Sequence, residues 1–202
     1  GGEAGLTWLR ESAAEPPMYW RRDDGAWQRR HFDAWRGLEP HRPVTFVCAH
    51  EADAFCRWAG RRLPTELEWE VAAAGEAQGL GLSPRKRRYP WGDEAPGPTH
   101  ANLDLRCSGP LDVAAFPEGD SAFGCRQMLG NVWEWTGSDF QPYPGFSVDP
   151  YADYSLPWFR THRVLRGGCF ATRGRVIRST WRNFYTPERR DVLAGFRTCA
   201  VS

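Results

Sequence analysis

The sequence predicts a single α+β domain, low in regular secondary structure, and three observations carry that expectation. Its 202 residues correspond to about one domain at roughly 100–200 residues each. Apolar spacing changes along the chain between helical and extended periods, with no long run of either. Turn formers are dense, with 21 glycines and 16 prolines, and 11 tryptophans supply large anchors for irregular backbone.

The elements follow in order. Gly5–Glu15 reads as a short helix around Leu6, Trp8 and Leu9. Met18–Arg21 and Ala26–Phe32 read as two strands joined through Asp23-Asp24-Gly25, a hairpin signal. Pro43–Val47 is a further extended run. Over Glu51–Gly60, Ala52, Phe55, Cys56 and Ala59 share one helical face, and Gly60 stands where such a helix ends. Thr65 with Glu68 three residues on is a capping box, so a second helix starts at Thr65 and runs to about Ala74, with Gly75 stopping it. From Gly75 to Arg163 turn signals dominate, among them Pro96-Gly97-Pro98 and Pro142-Tyr143-Pro144-Gly145. Strand character returns at Val164–Arg166 and at Ala194–Thr198.

Composition excludes several classes of function. The 26 basic and 25 acidic residues leave a net charge of +1, which is no electrostatic footprint for nucleic acid or a membrane surface. The basic run Arg85-Lys86-Arg87-Arg88 contains the only lysine and has no aromatic residues interleaved with it, as a single-strand-binding groove requires. No stretch approaches the ~18 apolar residues of a membrane helix. The six cysteines form no CxxC pair and the five histidines no HxxxH or HExxH, so no metal site is legible. Buried thiols in a reducing cytoplasm fit this chain better than a disulfide framework. The chain opens at Gly1-Gly2 without a methionine, which fits a piece of something longer.

Six ordered motifs carry a resemblance: Arg62-Leu63-Pro64-Thr65-Glu66-Leu67-Glu68-Trp69-Glu70, Tyr89-Pro90-Trp91-Gly92, Ala101-Asn102-Leu103, Gly130-Asn131-Val132-Trp133-Glu134-Trp135-Thr136, Arg166-Gly167-Gly168 and Gly195-Phe196-Arg197. Together they resemble the formylglycine-generating-enzyme domain. The fold this implies is a variant of the C-type lectin fold, filling residues 1–202 as one domain. Fold alone does not settle chemistry. The formylglycine-generating enzymes hold copper through two cysteines that follow the Arg-Gly-Gly motif. At those positions this chain has Thr172 and Ile177, and Cys169 matches neither.

The segments from Gln141 to Ser155 and from Arg182 to Asp191 resemble instead the C-terminal domain of the ergothioneine-pathway sulfoxide synthases and of the related selenoneine synthases. Those are cytoplasmic non-haem iron(II) enzymes that use O2 to join a sulfur or selenium donor to the imidazole of hercynine, which is trimethylated histidine. By that resemblance Tyr151 is the catalytic residue, a phenol able to deliver a proton or hydrogen atom. Asn183 contacts hercynine, and Phe184 offers its trimethylammonium group an aromatic face. Arg189 and Arg190 grip the acidic end of the donor with guanidinium forks. Tyr185 stands where a γ-glutamylcysteine-using enzyme has an acidic residue, which leaves cysteine or a neutral selenium donor such as a selenosugar open.

The resemblance implies no iron ligand in this chain. In the family three histidines come from a preceding four-helix, DinB-like domain, absent here together with the start of the lectin-like domain. The partners implied are hercynine, a thiol or selenium donor and that N-terminal iron-binding segment, with no nucleic acid and no membrane; alone, the chain is expected to be inert. Calcium held by Gln127, Glu134 and nearby carbonyls is a further expectation. Two other readings stand beside this one. A non-catalytic binding module predicts that the residues from Tyr151 to Arg190 do not converge on one cleft. A copper-type oxidase predicts two sulfurs within reach of one metal.

Overall fold

The computed structural model describes residues 2–13 and 16–201. Helix α1 (Glu3–Ser12) begins two residues before the expected start, and Glu15, its expected end, lies outside the described residues. Strands β1 (Trp20–Asp23) and β2 (Ala26–His31) form the expected hairpin, in register from Trp20 opposite Arg29 to Asp23 opposite Ala26. Asp24 and Gly25 both take left-handed backbone at the turn (φ 44° and 82°), the geometry that matches strand twist in a two-residue loop. A third strand, β3 (Ala34–Gly37), extends this sheet and was not legible in the sequence. Pro43–Val47 is not a strand, because Phe46 adopts φ 62° and turns the run so that its ring meets Tyr19 edge-on at 4.8 Å.

Helix α2 (Ala49–Trp58) starts two residues earlier than expected. Cys48 is its N-cap, and the Glu51 carboxylate accepts from the Cys48 backbone N–H at 2.8 Å. Ala52 and Cys56 are buried as the spacing predicts, whereas Phe55 stays 47% exposed, packed against Trp58 and Phe196. The two-residue strand β4 (Arg61–Arg62) leads to helix α3 (Glu66–Ala74), which is capped as the sequence predicts. Thr65 Oγ1 accepts from the Glu68 N–H at 3.2 Å, and the Glu68 carboxylate accepts from the Thr65 N–H at 2.8 Å. The Arg62 fork donates to both Glu68 oxygens at 2.7 Å. That fork, then the Thr65 hydrogen bonds, hold the Glu68 carboxyl at a pKa of about 2.

Beyond α3 the chain is irregular as expected, with short strands β5 (Ala77–Gln78) and β6 (Gly81–Leu82) and one long exception. Strand β7 (Trp133–Asp139) lies inside a four-stranded sheet with β8 (Arg163–Arg166), β9 (Arg182–Tyr185) and β10 (Ala194–Phe196), in the order β10-β7-β8-β9. Its first four residues are all buried. A strand covered on both faces loses the polar–apolar alternation that reveals strands in a sequence. The last strand, β11 (Cys199–Ala200), pairs antiparallel with β4.

One apolar cluster joins α2 to the sheet through Ala52, Cys56, Leu63, Trp133, Trp135 and Leu165. A second lies under α3, around Trp69, Leu103, Met128, Leu129 and Ile177. Between them sits Arg166, fully buried, with Nη1 2.7 Å from Glu66 and Nη2 2.7 Å from Glu70. All six cysteines are free thiols, and burial pushes the Cys48 thiol up to about 12. Within the basic run, Arg85, Lys86 and Arg87 are paired with Asp93, Glu70 and Glu76. No helix among the described residues is long and apolar enough to cross a membrane. The architecture is the α+β, loop-rich fold that the motifs imply.

Candidate functional site

Three structural devices converge on one opening beside β9. The first is the Arg166-Gly167-Gly168 turn after β8. Gly167 and Gly168 sit at φ 93° and 74°, and side chains there would fall 2.8 Å from the Met128 carbonyl and 2.6 Å from Ile177 Cδ1. Only glycine lets the chain double back here, and the turn delivers Cys169. The Cys169 backbone N–H donates to Thr172 Oγ1 at 3.0 Å, and that hydroxyl donates to Cys169 Sγ at 3.8 Å. The second device is β9, held to β8 with Asn183 opposite Leu165 and Phe184 opposite Val164. The third is the loop between β7 and β8, which folds into two 3-10 turns, Ala152–Tyr154 and Leu156–Trp158.

These devices enclose a cleft of about 580 Å3 lined by Trp133, Tyr151, Asp153, Trp158, Cys169, Ala171, Thr172, Trp181, Arg182, Asn183 and Phe184. Its walls are aromatic. Trp133 and Trp181 meet edge to face at 5.3 Å, Phe184 stacks on Phe140 at 3.9 Å, and His162 meets Phe184 edge-on at 5.7 Å. Burial holds the His162 imidazole below its ordinary pKa. Trp158 Nε1 donates to the Asp153 carbonyl at 2.7 Å and ties the loop together. Arg182 is committed to the scaffold: it bridges Glu66 and the Gln141 carbonyl and lies over the rings of Phe140 and Tyr143.

Of the six residues that the sequence nominated, three line this cleft. Tyr151 stands at its mouth, 65% exposed, and among the described residues its hydroxyl meets no partner. Its backbone N–H donates to Asp149 Oδ1 at 3.1 Å. Asn183 uses Oδ1 to accept from the Phe184 N–H at 2.8 Å, and the ring of Phe184 is stacked on Phe140. The other three lie outside the lining. Arg189 pairs with Asp191 at 2.7 Å and lies 4.8 Å above the Tyr185 ring. Arg190 pairs with Glu51 at 2.8 Å, donates to the Pro16 carbonyl and lies over Trp8.

The sequence reading missed Trp158, Trp181 and Asp153 as cleft residues and took Trp133 only as a core anchor. Aromatic content was the available signal, but the loop carrying Trp158 and Asp153 has no periodicity to place it.

The expected calcium position does not fit a cation. Glu134 Oε2 accepts from Trp69 Nε1 at 2.7 Å, and Arg197 donates to both carboxylate oxygens, at 2.5 and 2.7 Å. The same guanidinium also donates to the Arg126 and Gln127 carbonyls. Arg197 thus supplies the positive charge that a bound calcium would bring, and the Gln127 amide donates to the Asp112 carbonyl. Among the described residues no three His, Cys, Asp or Glu side chains gather to hold a metal, so the residues present do not fit iron. Cys169 has no second sulfur beside it among the residues lining this cleft.

Comparison with known proteins agrees with this architecture. Residues 7–201 match the sulfatase-modifying factor enzyme 1-like domain. The chain is 42% identical over 200 residues to a hercynine oxygenase of Mycolicibacterium thermoresistibile, covering 96% of this chain and 43% of that protein. It is 34% identical over 214 residues to a formylglycine-generating enzyme of Streptomyces coelicolor, covering 99% of this chain and 62% of that one. The structure of PvdO from Pseudomonas aeruginosa shares the fold, with a TM-score of 0.61 at 22% identity over 96% of this chain and 76% of its own. The chain spans less than half the length of the hercynine oxygenase it matches. Matched to the family model over residues 7–201, nearly its whole length, the chain belongs to the sulfatase-modifying factor enzyme 1-like family.

Proposed function

We propose that this chain is the substrate-binding, C-terminal part of a cytoplasmic non-haem iron(II), O2-dependent synthase. The synthase forms a C–S or C–Se bond on the imidazole of hercynine, in ergothioneine or selenoneine biosynthesis. The observation that carries the reading is the 42% identity to a hercynine oxygenase along 96% of the chain. The cleft is chemically suited to such a substrate. Trp133, Trp158 and Trp181 offer aromatic faces, and Asp153 an acid, to a quaternary ammonium group. Asn183 offers an amide that hydrogen-bonds a carboxylate or imidazole without adding charge. Tyr151 carries an unengaged hydroxyl to the mouth, where it holds a proton near the bound substrate.

The iron ligands belong to a histidine-bearing segment outside these residues, so the chain alone binds and does not turn over. The donor is cysteine or a neutral selenium compound such as a selenosugar. Arg189 reaches the donor's acidic end only by exchanging its partner Asp191, and Tyr185 brings no charge to meet an ammonium group.

Titration calorimetry with hercynine and with histidine tests the reading, since the two differ only in the methyl groups that the aromatic walls recognise. Hercynine is expected to bind about tenfold or more tightly, the equivalent of one good cation–π contact. No binding, or equal binding of the two, overturns it.

A further inference from the structure

A second cleft, of about 490 Å3, shares Ala171 as a wall with the first. Its lining is mostly carbon, and four of its residues are strained. Tyr19, Phe32, Phe46 and Leu105 have φ of 67°, 52°, 62° and 56°, the left-handed region that side chains with a Cβ rarely enter. They are four of the eleven non-glycine residues so placed in the described chain, and all four border one opening. Strain of this kind persists where the surrounding structure enforces it, and it gathers at sites that hold ligands. Three of them remain open to solvent: Phe32 is 70% exposed, Leu105 55% and Tyr19 40%. A concave apolar surface left this open marks a binding site.

The rim is electropositive. Arg29 and Arg42 share Glu39, and among the described residues no acidic side chain lines the cleft. Arg30 donates through Nε to the Phe32 carbonyl at 2.8 Å, and its terminal amino groups meet no acceptor among the described residues. His31 sits 3.4 Å from Ser108 Oγ. Burial, then the charges of Arg36, Arg29 and Arg42, hold its imidazole below its ordinary pKa and therefore neutral at pH 7, with Glu39 opposing them. A positive rim above an apolar floor complements a flat apolar body with one negative charge.

We propose that the cleft bounded by Tyr19, Phe32, Phe46 and Leu105 binds a small aryl carboxylate, its ring against those side chains and its carboxylate on Arg30. The site is separate from the hercynine cleft and does not depend on that assignment.

Calorimetry with 3-phenylpropionate, its neutral amide and 3-phenylpropylamine tests the proposal on the intact protein. The carboxylate is expected to bind about tenfold more tightly than the amide, as one charge-assisted contact gives, and the amine not at all. Arg30→Glu should remove the preference for carboxylate while leaving the amide's affinity and the hercynine titration unchanged. Phe32→Ala should weaken carboxylate and amide alike. Both side chains are exposed, so neither change threatens the fold. Failure of all three compounds to bind, equal affinity for carboxylate and amide, or a preference that survives Arg30→Glu overturns the proposal.

Discussion

The wall beneath α3 and the cleft beside β9 are built from the same residue types and treat them in opposite ways. Under α3, Arg166 is fully buried and shared between Glu66 and Glu70, and Glu66 also receives Arg182. Opposite Arg166 on the neighbouring strand, Glu134 is held by Trp69 and Arg197. In the cleft, the Tyr151 hydroxyl has no partner among the described residues, Asp153 gives Trp158 only its backbone carbonyl, and Trp133 and Trp181 meet edge to face. Charge in the wall is neutralised internally because a buried ion without a partner costs several kcal/mol. Polar groups in the cleft can go without partners because solvent still reaches them. Charges of the scaffold are thus paired side chain to side chain, whereas the Tyr151 hydroxyl and the Asp153 carboxylate of the cleft are left to solvent.

That contrast breaks most visibly at Arg166. Arg166→Met removes the buried cation shared by Glu66 and Glu70, leaving them only Arg182 and the exposed Lys86, and is expected to lower stability by about 3 kcal/mol, the lower end of the range for removing one partner of a buried pair; urea denaturation reads it. A smaller effect sharpens the role of the Glu134 carboxylate. Trp69→Phe keeps one aromatic ring but loses the pyrrole half of a buried indole and with it the 2.7 Å bond to Glu134; the lost hydrogen bond alone should cost about 1.5–3 kcal/mol, the range for one to a charged group.

The exposed capping box of α3 lies between wall and cleft in its consequences. Glu68→Gln should lower stability by about 0.5–1 kcal/mol at pH 7, because solvent screens the Arg62 pair. The folded carboxyl is depressed to about 2 from its ordinary 4.5, so its contribution is complete above pH 4.5 and is lost as pH falls toward 2. Thermal melts of the two proteins should therefore converge as acid is added. The smallest effect belongs to the cleft: Tyr151→Phe should change stability by less than about 0.5 kcal/mol. A larger loss of melting temperature would show that the hydroxyl is structural.

Local signals in the sequence marked the parts that are locally determined. Thr65 and Glu68 announced α3 because a capping box is complete within four residues, and Asp24-Gly25 announced the first hairpin for the same reason. Strand β7 escaped because both its faces are buried, and β9 because its four residues are all half-covered, leaving no alternation to read. The start of α2 was missed because cysteine is an unusual cap. At the cleft, the sequence brought Tyr151, Asn183 and Phe184 to attention through their motifs. The pairing of Arg190 with Glu51 spans 139 residues, and the substitution of Arg197 for a cation at Glu134 spans 63. No local pattern reports contacts of that range.

The pairing of β10 with β7 bears on how the protein comes to exist. The sheet's longest strand has one edge closed by residues 194–196, and β4 is closed by residues 199–200. As the chain is synthesised, Trp133, Glu134 and Trp135 leave the ribosome about sixty residues ahead of the strand that covers them, several seconds at ordinary elongation rates. For that interval an apolar strand edge waits unpaired, open to wrong partners. Such long-range closure makes for slow folding, so a nascent chain of this architecture has its greatest need of chaperone protection in the interval before residues 194–200 emerge.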